Sequence, residues 1–378
     1  MNYVSVLDDI FKQFQGTRFT IHYWNGQVME YGTTGTSVFT LHIANAHTVK
    51  RLLLQGALGF GEAYMEGSIT ITGDIEAYLA LRHQFRHVRP SFRLVYAKLL
   101  AQLTQPWGRK KQIAYHYDLG TEFFSLLLDA TTMSYSAGRF VQSADTLDQA
   151  QVAKLQLVGD WLQLPPGATL LDLGAGWGGF AEYSATKLQL LVDGYSLSKK
   201  QLDYATTRIK KVGKSNTVSL VYQDFITATP SRKYEGMVMI EALEHVGQNN
   251  LVSFMTEISE ALAPGAPWYL QFTGRYRPKL VDPWTLKYVF PGGHLPAKEE
   301  FLAAVTAAGL MVERFEDNTD DYLKTMRLWI DALESNQTEI EALFSPSFFR
   351  LWQLWMHGAY VNFDLGDMSL FRVLLRKP

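Results

Sequence analysis

The sequence predicts an α/β chain in which a small α+β unit precedes a doubly wound, mainly parallel sheet. Three observations carry this expectation. Residues 17–75 read as short alternating strands and turns; from 147 onward helix-like and strand-like segments alternate; and a glycine-rich turn joins a strand to a helix at residues 170–179. Strands that alternate with helices bury a parallel sheet on both faces.

In the first unit, Thr17–Tyr23 and Ser37–Ile43 alternate in polarity, Asn25-Gly26 is a hairpin signal, and Val49–Gly56 reads as a helix. The composition then shifts. No acidic residue lies between Glu76 and Asp118, while Arg82, Arg86, Arg89, Arg93, Lys98, Arg109, Lys110 and Lys111 alternate with aromatic and aliphatic residues. A basic segment of this kind at 82–111 suits an interfacial helix on anionic lipid. It equally suits a linker helix with an apolar stripe packed on its own protein. Nucleic acid is not expected, because no recognised binding motif accompanies the charge.

The second part starts with helical period over Leu147–Leu162, then a strand at Thr169–Leu173 and a helix at Gly178–Lys187. Leu188–Gly194, Val218–Val221, Gly236–Ile240 and Trp268–Phe272 are the further strands, with helices at Ser198–Lys211 and Leu251–Leu262. Residues 277–345 interrupt the alternation with Pro-rich loops and helices, and 346–378 is aromatic-rich. The division expected is 1–108 and 109–378.

Composition narrows the chemistry. Of 378 residues 47% are apolar and only 19% charged, with 13% aromatic, which points to surfaces or cavities that meet something greasy. A net charge of −2 gives no global attraction to polyanions. There is no cysteine, so disulfides, thiolate metal sites and thiol nucleophiles are excluded, no metal is expected, and a reducing cytoplasm fits. The first residues lack a signal-peptide pattern, and no run approaches about 18 apolar residues, so a membrane would be met from the side.

In Asp172-Leu-Gly174-Ala-Gly176-Trp-Gly178-Gly179, Gly174 permits a tight turn, Gly176 lets a ligand approach the backbone, and the last pair allows close helix–sheet contact. The aspartate before the first glycine resembles the nucleoside-binding turn of Rossmann-like methyltransferases. It does not fit the dinucleotide pattern, and no acidic residue ends the next strand.

More signatures follow in order. They are Leu58–Gly67, His116–Phe124, Met133–Ser136, Asp172–Phe180, Leu197–Gln201, Glu244–Gly247, Asp282–Trp284 and Lys287–Pro296. Together they resemble the cyclopropane fatty acid synthases and mycolic acid cyclopropane synthases over nearly the whole chain. The resemblance implies a Rossmann-like methyltransferase domain using S-adenosylmethionine, preceded by a small α+β lipid-binding-like domain, with a lipid-binding insertion at 277–345. It implies a homodimer, peripheral on the cytoplasmic side, acting on unsaturated acyl chains of membrane phospholipid, and it tilts the 82–111 segment toward membrane docking.

The resemblance also implies roles. Tyr117, Tyr135 and Ser136 would cover the methionine end of the cofactor, Gly174 and Gly176 would pass beneath it, Ser196 and Gln201 would meet the ribose, Phe225 the adenine, and Ile240 the pocket wall. In the family's reaction a bound bicarbonate, held by side chains and backbone amides, deprotonates a carbocation. Glu244 matches the glutamate that binds it and Tyr322 the tyrosine. Two positions depart: Ala137 stands where the family usually has Cys, its N–H still a donor, and Gln271 where it usually has His, two residues before the backbone donor Thr273. A neutral amide holds an anion more weakly than a cationic imidazole, so weaker bicarbonate retention is expected, with Glu244 acting more directly as base. The alternatives are a methyl- or methylene-branching enzyme and a catalytically quiet protein that keeps cofactor and lipid binding.

Overall fold

The large sheet is built outward from the strand that precedes the glycine turn. A computed structural model describes residues 3–82, 120–228, 230 and 232–378. Four early strands, β1 (Phe19–His22), β2 (Val28–Tyr31), β3 (Phe39–Ile43) and β4 (Ile69–Gly73), form one sheet in the order β2-β1-β3-β4. The other sheet contains β5 (Thr169–Leu173), β6 (Leu191–Ser196), β7 (Val218–Tyr222), β8 (Gly236–Ile240), β9 (Pro267–Gly274), β10 (Met311–Asp317) and β11 (Ser369–Arg376). Its order is β10-β11-β9-β8-β5-β6-β7, parallel except where β11 runs against both of its neighbours. The order reverses at β5 and β8, and a ligand crevice opens at the carboxyl ends of strands at such a reversal.

Two strands differ from the sequence reading. Strand β6 starts later than expected and ends on Ser196, because Gln189 adopts φ 57° and turns the chain first. Strands β10 and β11 come from segments read as loop, helix or merely aromatic. In β10 charged residues give an exposed edge, and in β11 Arg372 interrupts an otherwise apolar run.

Strand alternation decides which residues face the site. Leu171, Leu173, Met237, Met239, Trp268, Leu270, Phe272 and Val373 fill the core on one face with Phe254, Ile258 and Phe301. Leu170, Val238, Tyr269 and Leu374 turn to the other face, under Leu155, Val158 and Trp161 of the helix Leu147–Leu162. With a period of two, Asp172, Ile240, Gln271 and Arg372 share that second face. Gln271 is the register partner of Ile240 on one side and of Arg372 on the other. The helix above is fixed at its start by a capping box between Thr146 and Gln149, a device worth roughly 1 kcal/mol.

The described residues group into two compact units. One takes those of Met1–Ile113, Asp282–Val289 and Leu333–Val361; the other takes those of Ala114–Val281, Phe290–Ala332 and Asn362–Pro378. The sequence boundary at 108/109 lies outside the described residues, and the chain returns to the first unit twice after it. Within that unit two signatures more than 200 residues apart meet. A Cβ on Gly61 would lie 2.2 Å from the Trp284 ring, so only glycine fits. Beside it Glu62 accepts from Lys287 Nζ at 2.6 Å and Tyr288 OH at 2.9 Å. Asp282 caps the short helix that presents these groups. Among the described residues no helix is long and apolar enough to cross a membrane.

Candidate active site

The glycine turn follows β5 directly. The N–H groups of Gly174 and Ala175 both donate to Tyr195 O, which closes the turn against β6. Gly174 has φ 95°, and a Cβ there would lie 2.7 Å from the Ala242 side chain. Gly178 and Gly179 lie equally tight against Ala205 and Thr132, whereas a Cβ on Gly176 would meet nothing closer than 3.9 Å. Three glycines therefore serve packing, and Gly176 faces open space. Burial pushes the Asp172 carboxyl up to about 7, and its Oδ2 has no partner among the described residues. An orphaned acceptor beside an open glycine backbone fits a ligand that carries donors or positive charge.

Aromatic rings continue from this turn. Trp177 packs on Phe124 at 4.9 Å, Phe124 on Tyr135 at 5.0 Å, and Tyr135 stacks on Trp329 at 5.2 Å. Trp329 meets Tyr322 edge-on at 6.2 Å. The Tyr322 hydroxyl then donates to Glu241 Oε2 at 2.8 Å.

Glu241 is the centre of the site. It follows β8 in a left-handed conformation, φ 48°, which costs a non-glycine residue about 1–2 kcal/mol. Its Oε1 accepts from the Ala137 N–H and from Gln271 Nε2, both at 2.8 Å. Burial raises its carboxyl, while Gln271, Ala137, Tyr322 and the charge of Lys154 all pull it down. Glu244 lies one turn further on and is raised as well, with fewer groups to offset its burial. Its Oε1 accepts from the Thr273 N–H at 2.5 Å, and Oε2 has no partner among the described residues. Burial and the nearby Glu241 push it to about 8. Burial raises both carboxyls, but four lowering influences act on Glu241 and favour its ionised form, whereas a second carboxylate nearby raises Glu244 further.

A second layer fixes these donors. Arg372, 1% exposed, donates to Gln271 Oε1 at 3.0 Å, to Asp321 Oδ2 at 2.6 Å and to Gly138 O at 2.7 Å. With the Tyr269 hydroxyl also on Oε1, the Gln271 amide has one sensible orientation, its NH₂ toward Glu241. Gln151 and Lys154, three apart on the helix above, hold Ser136 O and Oγ at 2.7 and 2.8 Å. Burial lowers Lys154 to about 8.

The structure brings Ala137, Gln271 and Tyr322 together on Glu241, and Thr273 onto Glu244. Tyr135 and Ser136 border the same site. Ser196 ends β6, where its Oγ accepts from the Ser198 N–H, and Ser198 in turn caps the helix through the Gln201 N–H. Phe225 is buried in the sheet core against Phe254, and Ile240 is half-buried at the end of β8. Tyr117 and nearly all of 82–111 lie outside the described residues. Sequence reasoning missed Glu241, Arg372, Lys154 and Gln151. The signal for Glu241 was an acidic residue closing an apolar strand at the carboxyl edge of the sheet; for Arg372 it was a lone cation within an apolar run.

Comparison with known proteins agrees with this geometry. A family model described as mycolic acid cyclopropane synthetase matches residues 105–373, and one for a domain of unknown function, DUF7884, matches 6–86. The cyclopropane-fatty-acyl-phospholipid synthase of Escherichia coli (strain K12) is 29% identical over 91% of this chain and 89% of its own. A probable fatty acid methyltransferase of Pseudomonas putida is 30% identical over 94% and 91%. The solved cyclopropane synthase MmaA2 from Mycobacterium tuberculosis superposes with a TM-score of 0.65 at 26% identity, covering 69% of this chain and 96% of that one.

Proposed function

Because the chain belongs to the mycolic acid cyclopropane synthetase family of S-adenosylmethionine-dependent methyltransferases, we propose that it converts double bonds of phospholipid acyl chains into cyclopropane rings. The observation that carries this reading is a buried carboxylate, held by three donors, at the end of a continuous aromatic wall beside the glycine turn. An alkene is a weak neutral nucleophile that needs no base to begin; the base is needed afterwards, for the cation. Aromatic faces suit a transient cation, since they attract positive charge without capturing it covalently. They also keep out water, which would quench it.

S-adenosylmethionine, when bound, supplies the methyl: the alkene pair forms a C–C bond to it as the S–CH₃ bond breaks, leaving S-adenosylhomocysteine. Asp172 and the backbone at Gly174 and Gly176 would hold the cofactor, with Tyr135 and Ser136 at the border of the carboxylate site. Ser196, Gln201, Phe225, Ile240 and Tyr117 complete the proposed cofactor side. Tyr322, Gln271 and the Ala137 N–H orient the carboxylate, and Glu244, as a neutral acid, stays out of the proton transfer.

The first unit and the 82–111 segment would bring the enzyme to lipid. Charge reversal at Arg86, Arg89 and Arg93 should weaken binding to anionic vesicles and leave cofactor binding unchanged; equal vesicle binding refutes this docking role. A homodimer is part of the same reading, tested by sedimentation. Mass spectrometry of unsaturated phospholipid vesicles incubated with protein and cofactor tests the reaction. One CH₂ gained per acyl chain with the alkene lost supports it, nuclear magnetic resonance separates ring from exomethylene, and unchanged lipid refutes it.

A further inference from the structure

The donors that the family resemblance assigns to bicarbonate are already taken in this chain. Ala137 N–H, Gln271 Nε2 and Tyr322 OH all end on Glu241, and Thr273 N–H ends on Glu244. A bicarbonate placed among them would displace a covalently tethered carboxylate. The cations offer it nothing either: Arg372 is engaged by Asp321, and Lys154 is balanced by Asp129 and Glu241. A third buried anion would be left without a countercharge. The residues present do not fit a captured bicarbonate.

We propose that Glu241 is itself the base, a resident carboxylate occupying the anion site, so that this enzyme works without bicarbonate. This rests on the alkene-methylation reading above. The left-handed backbone at Glu241 is the structural cost of placing a side chain where glycine would sit unstrained, and it turns the carboxylate onto the three donors. The two oxygens are not equivalent. Oε1 already accepts two hydrogen bonds and Oε2 only one, so Oε2 keeps the free lone pair. In the step assigned to it, a C–H bond of the newly added methyl breaks and its electron pair closes the ring onto the cationic carbon. The proton passes to Glu241 Oε2, and nothing is oxidised or reduced.

The test compares wild type, Glu241→Gly and Glu241→Gln, each checked for cofactor binding by calorimetry so that misfolded protein is recognised. Binding of ¹³C-bicarbonate is read by nuclear magnetic resonance, and turnover on unsaturated phospholipid vesicles in carbonate-depleted buffer. Wild type should bind no bicarbonate and keep full turnover without it. Removing the carboxylate should cost ~10²–10⁴-fold in turnover, the usual contribution of a general base. Glu241→Gly, with its backbone relaxed and three donors freed, should bind bicarbonate and regain part of the lost rate when it is added; Glu241→Gln should do neither. Bicarbonate binding by wild type equal to that of Glu241→Gly overturns the proposal whatever the lipid assay gives, as does a wild type that stops without bicarbonate. If the binding results hold while no lipid is methylated, the resident anion stands and the substrate reading falls.

Discussion

Removing a single hydroxyl tests how Glu241 is tuned. Tyr322→Phe keeps the buried ring, its contact with Trp329 and its packing on Phe363 at 4.4 Å, but deletes the 2.8 Å hydrogen bond to Glu241 Oε2. A hydrogen bond to a charged group contributes about 1.5–3 kcal/mol. This one favours the ionised form, so its loss moves the carboxyl upward. At 1.36 kcal/mol per pKa unit the shift is ~1–2 units. A base works only when ionised, so the acidic limb of the pH–rate profile should move to higher pH by that amount, while the plateau above it changes little. The assay is kcat/KM across the acidic limb for both proteins, with cofactor affinity measured alongside. A profile that falls uniformly without moving, or does not change at all, would refute the role given to Tyr322 and with it the role of Glu241 as base.

The other expectations concern the frame around this carboxylate. Arg372→Met leaves Asp321 and the Gln271 amide without their buried partner, and should cost roughly 3–5 kcal/mol in urea unfolding. Adding Asp321→Asn should recover part of that, which a double-mutant cycle reads. Gly176→Ala, whose Cβ meets open space but whose φ of 52° strains any side chain by about 1–2 kcal/mol, should weaken cofactor binding by calorimetry and lower Tm modestly, whereas Gly174→Ala should lower Tm further through the Ala242 clash. Glu244 is raised from 4.5 to about 8, so the stability it contributes is complete below its ordinary value and is lost as pH rises through about 8. Glu244→Gln should flatten that part of the Tm-against-pH curve in the ligand-free protein.

Much of the fold was legible because its central strands are plain. Gly236–Ile240 is an apolar run, and Asp172 through Gly179 is a turn whose glycines are demanded by sterics that sequence spacing already implies. The two strands that escaped notice did so for opposite reasons. Strand β10 is an exposed, charged edge without alternation, and β11 has a guanidinium at its centre that reads as a surface residue until Asp321 and Gln271 are seen beside it. The site was half legible. Ala137 and Gln271 stood out as departures from the family pattern, and Tyr322 and Thr273 were placed by matching it, yet what they surround did not stand out. Glu241 lies between an apolar strand and the Glu244-His245 pair, and only the backbone turn at φ 48° carries its side chain back over the sheet to meet donors from three distant segments.

The departures at 137 and 271 take on a different meaning once the carboxylate is in place. Read singly, the exchange of a histidine for Gln271 weakens an anion site by replacing a cationic donor with a neutral one. Around a tethered anion the requirement is reversed, because retention no longer depends on the donors. A covalent link keeps Glu241 present at all times, whereas a captured ion is present only in proportion to its concentration over its dissociation constant. What the donors must do instead is orient the carboxylate without suppressing its basicity. A cation in contact would hold the negative charge and lower the proton affinity by one to three units. Gln271, with its oxygen pinned by Arg372 and Tyr269 and its NH₂ turned to Glu241, fixes direction and adds no charge. The positive charge is placed one layer back, on Arg372, where Asp321 already answers it.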